Sequence, residues 1–547
     1  MASDRADRTS PSWHNLPAKI RQTILNALLQ TDGSLAPYAT VSREWQAVIE
    51  PHNFSRLKLT IPRIQQLDSM TFRTQRYVQY IWLCLELEEY ELEEYYPQGM
   101  GDADSHAIGK ALYEVVDVLS SWCDRPNLVL DISIHSPSDS AYWFKYLTFE
   151  PDCPFNQRES EYSELPGLSV PAITNCGSDD SDYIDDSDDS DEIEESDDSD
   201  DSADLETDDD AIYFTSYQIN KVFNQIVVKG PVETTMEGHE WWQGMPLARA
   251  VTAVLFRQQT RRRWPPKTMM QLLSRFPRLR EIHYEPWREW DDGMQKRTDG
   301  DYQILFHSVA SSPLKKLTVF ENFNQRYPIY FERCSDSRNL NYYVARAIAR
   351  CLELEQLSAS FIIDAKHFFQ ARGRDWEWLS LTTLVLTSGL LQPLGDHSTI
   401  QHLLFQAARA ALRMSKLELM EIWNGLEGVA AVFRYQTPRY KANREGKPRP
   451  TVMTWRGTWK FELLVTLIQS WEHVTNKLHG DELVVKTESL SGRLIASHAD
   501  AIHHLGIAEL AIRPVSQRQI RAEHLAGEEA ALVAESSADS GSPDASS

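Results

Sequence analysis

The chain has few of the features that mark an enzyme or a metal-binding protein. Its 547 residues include only six cysteines, which are widely scattered and form no Cys-x-x-Cys pair, so neither a disulfide framework nor a zinc site is expected. Glycine-rich phosphate loops and the Gly-x-Ser-x-Gly and His-Glu-x-x-His motifs are also absent. We therefore expect no cofactor, no metal and no catalysis, although an active site assembled from distant residues would leave no such motif.

Long apolar runs are missing as well. No stretch approaches the roughly 20 apolar residues that span a bilayer, and the segment from Met1 to Trp13 is polar and charged where a signal peptide would be apolar. We expect a cytoplasmic or nuclear protein with no membrane partner.

The acidic charge is concentrated in one segment. The net charge is -25, but residues 178–210 contain twenty Asp or Glu and no Lys or Arg, so the rest of the chain carries only -5. Like charges repel, and almost no apolar surface is present there to offset the entropy of ordering. Residues 176–211 are therefore predicted to be a disordered insertion, which either is simply tolerated, is phosphorylated at its serines, or contacts a basic partner.

A compact helical pattern occupies the first fifty residues. Asn15 is expected to cap a helix that has Pro17 in its first turn and runs to about Leu29. A short second helix should follow, and Ser42 should open a third that stops at Pro51. The apolar positions of these helices are Leu16, Ile20, Ile24, Leu25, Leu28, Leu29, Leu35, Tyr38, Trp45, Val48 and Ile49. They form a wider apolar face than three short helices can bury among themselves.

These residues resemble a known motif. Leu-Pro, the spaced isoleucines and Val41-Ser42-Arg43-Glu44-Trp45 are similar to the F-box, which docks on the Skp adaptor of cullin-based ubiquitin ligases; residues 14–54 carry the resemblance, with Lys19 where the family usually has an acidic residue. The resemblance implies that Val41 and Trp45 are shared between the core of the module and the interface. The adaptor-facing set that it implies is Leu16, Pro17, Ile20, Ile24, Val41 and Trp45. The residues alone also fit a helical cap that covers the following domain.

Beyond residue 55, short apolar stretches alternate with helical segments. Many stretches fit Leu-x-x-Leu-x-Leu, the strand pattern of a leucine-rich repeat, but after residue 270 they start roughly 27 to 45 residues apart, further than the about 20–29 of such repeats. Strands are predicted in the segments 54–59, 78–87, 128–134, 272–284, 314–319, 354–359, 381–386, 417–422 and 505–512, with helices at 105–122, 341–351 and 400–414. We predict an α/β fold: an irregular leucine-rich-repeat-like solenoid after a three-helix F-box-like module, with a compact α/β domain as the alternative. Many F-box proteins carry such repeats.

Three further features invite a functional interpretation. The basic run from Arg261 to Lys267 is expected to be a solvated loop, with binding of the acidic segment, nuclear import or a nucleic-acid patch as alternatives. The Trp pairs 241–242 and 287–290 are either recognition anchors or packing residues. The close histidine pairs 397/402 and 503/504 lack a carboxylate or cysteine at ligand spacing and are expected on helix surfaces.

The expected organisation has six parts. A disordered N-terminus (1–12) and the helical module (13–54) come first, followed by the body in two pieces (55–175 and 212–515) around the acidic insertion (176–211), and by a C-terminal helix and tail (516–547), disordered from about residue 535. We predict a non-catalytic substrate-recognition subunit of a ubiquitin ligase of the Skp–cullin–F-box (SCF) type, with the Skp adaptor, through it cullin, and an unknown protein substrate as partners. Nucleic acid is not expected as a partner. A scaffold or regulatory protein acting outside a ligase remains open.

Overall fold

The computed structural model describes residues 13–30, 34–90, 101–122, 127–141, 144, 147–152, 222–230, 238–438, 450–480 and 482–539. The segments 1–12 and 176–211, both predicted to be disordered, lie outside these described residues, as does the end of the tail, 540–547.

A single sheet of twelve strands organises the described residues, and its strands are hydrogen-bonded in chain order from first to last. The first nine strands pair in parallel. The ninth, tenth and eleventh pair antiparallel, and the last pair is parallel again. The strands are β1 (Arg56–Leu59), β2 (Tyr80–Glu86), β3 (Leu128–His135), β4 (Val251–Phe256), β5 (Glu281–Tyr284), β6 (Lys316–Phe320), β7 (Gln356–Ser360), β8 (Thr383–Thr387), β9 (Leu419–Leu426), β10 (Val429–Gln436), β11 (Thr451–Gly457) and β12 (Leu483–Ser489).

Helices connect most of the strands, as parallel pairing requires, which makes the fold mixed α/β. They are α1 (Ala18–Leu28), α2 (Arg43–Ser55), α3 (Ile64–Asp68), α4 (Phe72–Gln75), α5 (Asp102–Ser120), α6 (Ser138–Ala141), α7 (Gly238–Gly244), α8 (Pro266–Leu273), α9 (Asp292–Ala310), α10 (Tyr342–Ala349), α11 (Ala365–Gln370), α12 (His397–Ala411), α13 (Val465–Leu478), α14 (His498–Leu505), α15 (Ala508–Ala511) and α16 (Pro514–Asp539).

The main core lies between one face of the sheet and the connecting helices. Alternate strand residues point into it because successive side chains of a strand face opposite ways. In β3, for example, Leu130 and Ile132 are in this core, together with Leu112 of α5 and Leu404 of α12. The predicted helices at 105–122, 341–351 and 400–414 are confirmed as α5, α10 and α12.

The other face of the sheet carries a second core. Residues 495–526, which we call the C-terminal strap, run across it as α14, α15 and the first half of α16. Ile502, Leu505 and Ile512 of the strap pack there against Val385 and Trp423 of the sheet. The sheet is therefore covered on both faces along its middle strands.

The strand predicted at residues 505–512, within the strap, is wrong. Leu505 to Ile512 fit a strand pattern, but the chain there ends α14, turns, and forms α15. Gly506 adopts a left-handed conformation with φ of 68° and closes α14, which begins with a capping box between Ser497 and Asp500. The C-terminal helix α16 also extends to Asp539, past residue 535, where the disordered tail was expected to begin.

Four strands were not predicted from the sequence, namely β4, β10, β11 and β12. Strand β4 has a continuous apolar run from Val251 without the leucine spacing of the other strands, and all its residues are buried. The turn at Gly428, with φ of 72°, joins β9 and β10 as a hairpin.

The N-terminal module forms four short helical pieces, namely a 3-10 turn (Trp13–Asn15), α1, a 3-10 helix (Ala36–Thr40) and α2, and both α-helices differ from the prediction. Asn15 does not cap α1: it ends a separate 3-10 turn, and Pro17 occupies the cap position without a side-chain bond. Ser42 does cap α2, its side chain accepting from the backbone N–H of Trp45. Helix α2 then passes through Pro51 to Ser55, so the expected stop at Pro51 is wrong; the proline lies in the last turns, where it removes a single helix bond.

Candidate docking surface and the covered face of the sheet

An apolar patch on the N-terminal module is open to solvent. The exposed fractions of Ile20, Ile24 and Val41 are 47%, 41% and 58%. Pro17 is exposed beside them at the start of α1. The module's own core is small and consists of buried Leu25, Leu35 and Ile49. We call Leu16, Pro17, Ile20, Ile24, Val41 and Trp45 the docking surface.

Trp45 and Leu16, the two remaining members of the docking surface, are half-buried. The ring of Trp45 lies 5.1 Å from that of Trp13 and 6.2 Å from that of Tyr38. Tilted aromatic contacts at these distances are attractive beyond simple burial. They fix the indole between the small core and the surface.

A polar clamp that sequence reasoning missed holds α1 against α2. Glu44 accepts hydrogen bonds from Nε of Arg21 at 2.9 Å and from Nε1 of Trp13 at 3.0 Å. The bonds from Arg21 and Trp13 lower the pKa of the Glu44 carboxyl. Because Trp13 and Arg21 lie far from Glu44 in the chain, no local spacing signals this contact.

The module joins the body without a loop. Helix α2 ends at Ser55 and β1 begins at the next residue. Glu50 of α2 accepts from Nη2 of Arg73 in α4 at 3.0 Å, and from Nε2 of Gln46 at 2.7 Å. The guanidinium of Arg56 stacks 3.8 Å above the ring centroid of Tyr80 in β2. These contacts fix the direction in which the docking surface points relative to the sheet.

The face of the sheet opposite the main core is unusually rich in buried polar groups. In β3, Asp131, Ser133 and His135 alternate with the core residues and are all buried. Asp131 pairs with Nε of Arg257, after β4, at 2.8 Å. Burial alone would lower the pKa of the Arg257 guanidinium, but the adjacent Asp131 carboxylate raises it, so this cation keeps its charge. Burial lowers the pKa of His135 to about 4.

The strap binds this face through an arginine and a serine near the start of α16. Arg513 donates from Nε to Asp152 at 2.9 Å and from its backbone N–H to Glu285 at 2.9 Å. The Ser516 hydroxyl donates to the same Glu285 carboxylate, and Nε2 of Gln258 donates to the Ser516 carbonyl at 2.7 Å. Burial raises the pKa of Glu285, but His283, Ser516 and the backbone N–H of Gln258 outweigh it, so the pKa is lowered.

A glutamate anchors the strap further along α16. Glu523 is buried and accepts from Nη2 of Arg261 at 3.1 Å and from Nδ2 of Asn324 at 2.8 Å. The Tyr327 hydroxyl also donates to it. These three donors come from loops that follow β4 and β6.

Two arginines of the sheet hold the other end of the strap. Arg434 of β10 donates to the carbonyls of Leu505 and Gly506 at 2.9 and 3.0 Å, and Arg456 of β11 donates to that of His504 at 3.2 Å. Cations are favourable at a helix C-terminus because the last carbonyls lack partners within the helix.

The basic run from Arg261 to Lys267 is not the solvated loop expected from the sequence. Arg261 and Arg262 are buried, and Arg262 donates from Nη2 to Asp139 at 3.0 Å. Arg263 pairs with Glu289 at 2.5 Å. Each of these cations has a carboxylate partner, so the run does not form an open cationic surface for nucleic acid or for the acidic segment.

The burial of the Trp pairs and of the histidine pairs decides between their predicted roles. Trp241, Trp242, Trp287 and Trp290 are all buried, which favours the packing interpretation over recognition. The histidines at positions 397, 402 and 503 are exposed on helices, and His504 is half-buried.

Two kinds of feature are absent from the described residues. They contain no helix that is both long and apolar enough to cross a bilayer. Within the same residues, no three His, Cys, Asp or Glu side chains converge as metal ligands.

Comparison with known proteins bears on the second half of the chain. Residues 309–513 match a family of unknown function, DUF6546. The matched stretch runs from the end of α9 through β12 to Arg513, so it includes α14 and α15 of the strap together with the strands that they cover. It does not include the docking surface. Comparison with curated proteins gave no match.

Proposed function

We propose that the chain is a non-catalytic substrate-recognition subunit of an SCF-type ubiquitin ligase. The docking surface binds the Skp adaptor and, through it, cullin, and the body binds a protein substrate. Such a subunit acts by raising the effective concentration of the substrate near the ubiquitin-carrying enzyme.

The exposure of Ile20, Ile24 and Val41 is the observation that carries this proposal. A helical cap would bury these side chains against the body, whereas each is about half exposed. Exposed apolar residues grouped on one module are typical of a protein-binding surface.

We also propose that the body is an irregular leucine-rich-repeat-like solenoid. Nine consecutive strands pair in parallel and in chain order, and the intervening helices pack on one face. A solenoid of stacked strand–helix units has this order, because each unit contacts only its neighbours.

Binding of purified Skp adaptor to the full chain tests the docking proposal. The double variant Ile20→Asp, Ile24→Asp should lose at least about a hundredfold in affinity, since charges would enter an apolar contact. Gln22→Asp with Asn26→Asp is the matched control, because both residues are exposed on α1 and point away from the isoleucines. Calorimetric affinities that are equal for the two double variants would refute the docking surface.

A second function is a scaffold or regulatory protein that acts outside a ligase. The cover of the strap over the sheet favours it, because the strap occupies the second face of the middle strands and leaves less of the sheet open to a substrate. Co-purification of adaptor without cullin would favour this function, and recovery of both would favour the ligase subunit.

A further inference from the structure

The sheet face beneath the strap combines an apolar second core with a set of buried polar groups. Asp131, Glu285, Ser358, Ser360 and Glu421 are buried there. Ionised side chains are rarely buried in protein interiors unless a partner neutralises them. The strap supplies donors to Glu285, whereas Asp131 and Glu421 pair with Arg257 and Arg434 of the body.

The strap packs independently of the main core. Its apolar residues lie in the second core or, in the case of Ala522 and Ala526, in an aromatic cluster that includes Trp287 and Tyr327. The main core, between the sheet and the connecting helices, contains no residue of the strap. Segments that contribute nothing to the principal core can open as cooperative units while the remainder stays folded. When this strap opens, water reaches Asp152, Glu285 and Arg261, so these charges become solvated instead of being left buried and unpaired.

We propose that the C-terminal strap is a releasable intramolecular ligand that covers the partner-binding face of the body. This inference rests on the proposed function as a substrate receptor and adds the regulation of its substrate surface. The strap closes the face in the free chain, and a partner binds after displacing it.

The anchors of the strap define the chemistry of that partner. They are an arginine whose guanidinium reaches Asp152 and whose backbone N–H reaches Glu285, a hydroxyl three positions later that also reaches Glu285, and a carboxylate seven positions after that, which reaches Arg261. A helical protein segment with an arginine, a serine and a glutamate at the spacing of Arg513, Ser516 and Glu523, and an apolar stripe between them, would fit the same face.

Thiol reactivity in the full chain tests whether the strap opens. Ser516 is fully buried in the strap interface, and Cys351 is buried in the main core. In the Ser516→Cys variant we expect the introduced thiol to react with a maleimide at least tenfold faster than Cys351 under native conditions. Ser105→Cys is the matched control, since Ser105 is buried on α5, and its thiol should react as slowly as Cys351. Equal rates at positions 516 and 351 would overturn the proposal.

Binding of the strap as a separate peptide tests whether the face accepts a ligand. A fluorescent peptide of residues 495–526 should bind the Arg513→Glu chain at least tenfold more tightly than the wild-type chain, because the charge reversal repels the internal strap from Asp152 and Glu285. The matched control chain is Lys477→Glu, a charge reversal on the exposed surface of α13, which should bind like wild type.

A peptide carrying Arg513→Glu should not bind either chain. If the wild-type peptide binds the Arg513→Glu chain no better than the wild-type chain, with circular dichroism showing the variant folded, the partner face is refuted. The thiol experiment decides the question if that variant does not fold. Neither measurement involves the adaptor, so failure of the strap and failure of the docking surface are distinguishable.

Discussion

His498 is a titratable side chain held neutral inside the strap interface. Its ring stacks 4.6 Å from that of Phe323, and its Nε2 lies 2.8 Å from Oδ1 of Asn322. Burial, with a smaller contribution from the nearby His524, lowers the pKa of His498 to about 3. The closed strap therefore disfavours the protonated form of the His498 imidazole.

The stability of the closed strap should consequently depend on pH. The pKa of His498 is about 3 when the strap is closed and near 6.5 when the strap is released. The neutral ring therefore stabilises the closed strap fully above about pH 6.5, and this stabilisation is lost as the pH falls toward 3. Between pH 7 and pH 5 the closed form should weaken by about 2 kcal/mol. Because the thiolate is the form that reacts, labelling of the Ser516→Cys chain is compared at each pH with that of a free cysteine peptide; relative to this reference it should accelerate by about thirtyfold between pH 7 and pH 5.

His498→Gln serves as the control for this pH effect. Glutamine keeps a donor for Asn322 but does not titrate. The acceleration between pH 7 and pH 5 should largely disappear in this variant; if it persists unchanged, another group controls the release.

At the scale of elements, the sheet and the strap approach each other closely at Gly425 in β9. A Cβ atom built on Gly425 would lie 2.4 Å from Cβ of Ala501 in α14. Gly425→Ala should therefore push α14 outward and destabilise the closed strap by about 1–3 kcal/mol. Urea unfolding and labelling at position 516 would both report it. Gly300→Ala in α9, where nothing lies within 4 Å, should not increase the labelling, and equal effects of the two substitutions would contradict this account.

Local pattern predicted the strands of the body where alternate leucines face the main core. Leu384 and Leu386 show the signal in β8, since both are buried. It failed for β10, which has few leucines, and it misassigned Leu505 to Ile512, where an apolar spacing of two occurs across a helix end. Gly506, which closes that helix, was the available signal.

The covered face could not be predicted in the same way. Arg513 contacts Asp152, 361 positions earlier, and Arg261 contacts Glu523, 262 positions later. Partners so far apart in the chain leave no periodic pattern in the sequence, so nothing marked either arginine as buried or paired. The apolar face of α1 was different, because Ile20 and Ile24 lie four residues apart on one short helix; whether it binds an adaptor stays a prediction.

At the scale of the whole molecule, the acidic segment accounts for most of the net charge, while the chain on either side of it is held in the fold. Before the segment, Asp152 is bound by Arg513. After it, Phe223 packs edge-on against Trp287, with ring centroids 5.1 Å apart. The two anchor points therefore do not depend on residues 178–210.

Deletion of residues 178–210 should leave the body folded and change the net charge from -25 to -5. We expect the midpoint of thermal unfolding to stay within about 2 °C of wild type, because a self-repelling segment contributes no core and the shift in midpoint per kcal/mol becomes smaller as a protein becomes larger. Differential scanning calorimetry measures the midpoint, and a replacement of the same length in Gly and Ser separates charge from length. A large drop for the deletion, but not for the Gly/Ser replacement, would mean that the length of the connection between Asp152 and Phe223 is itself required.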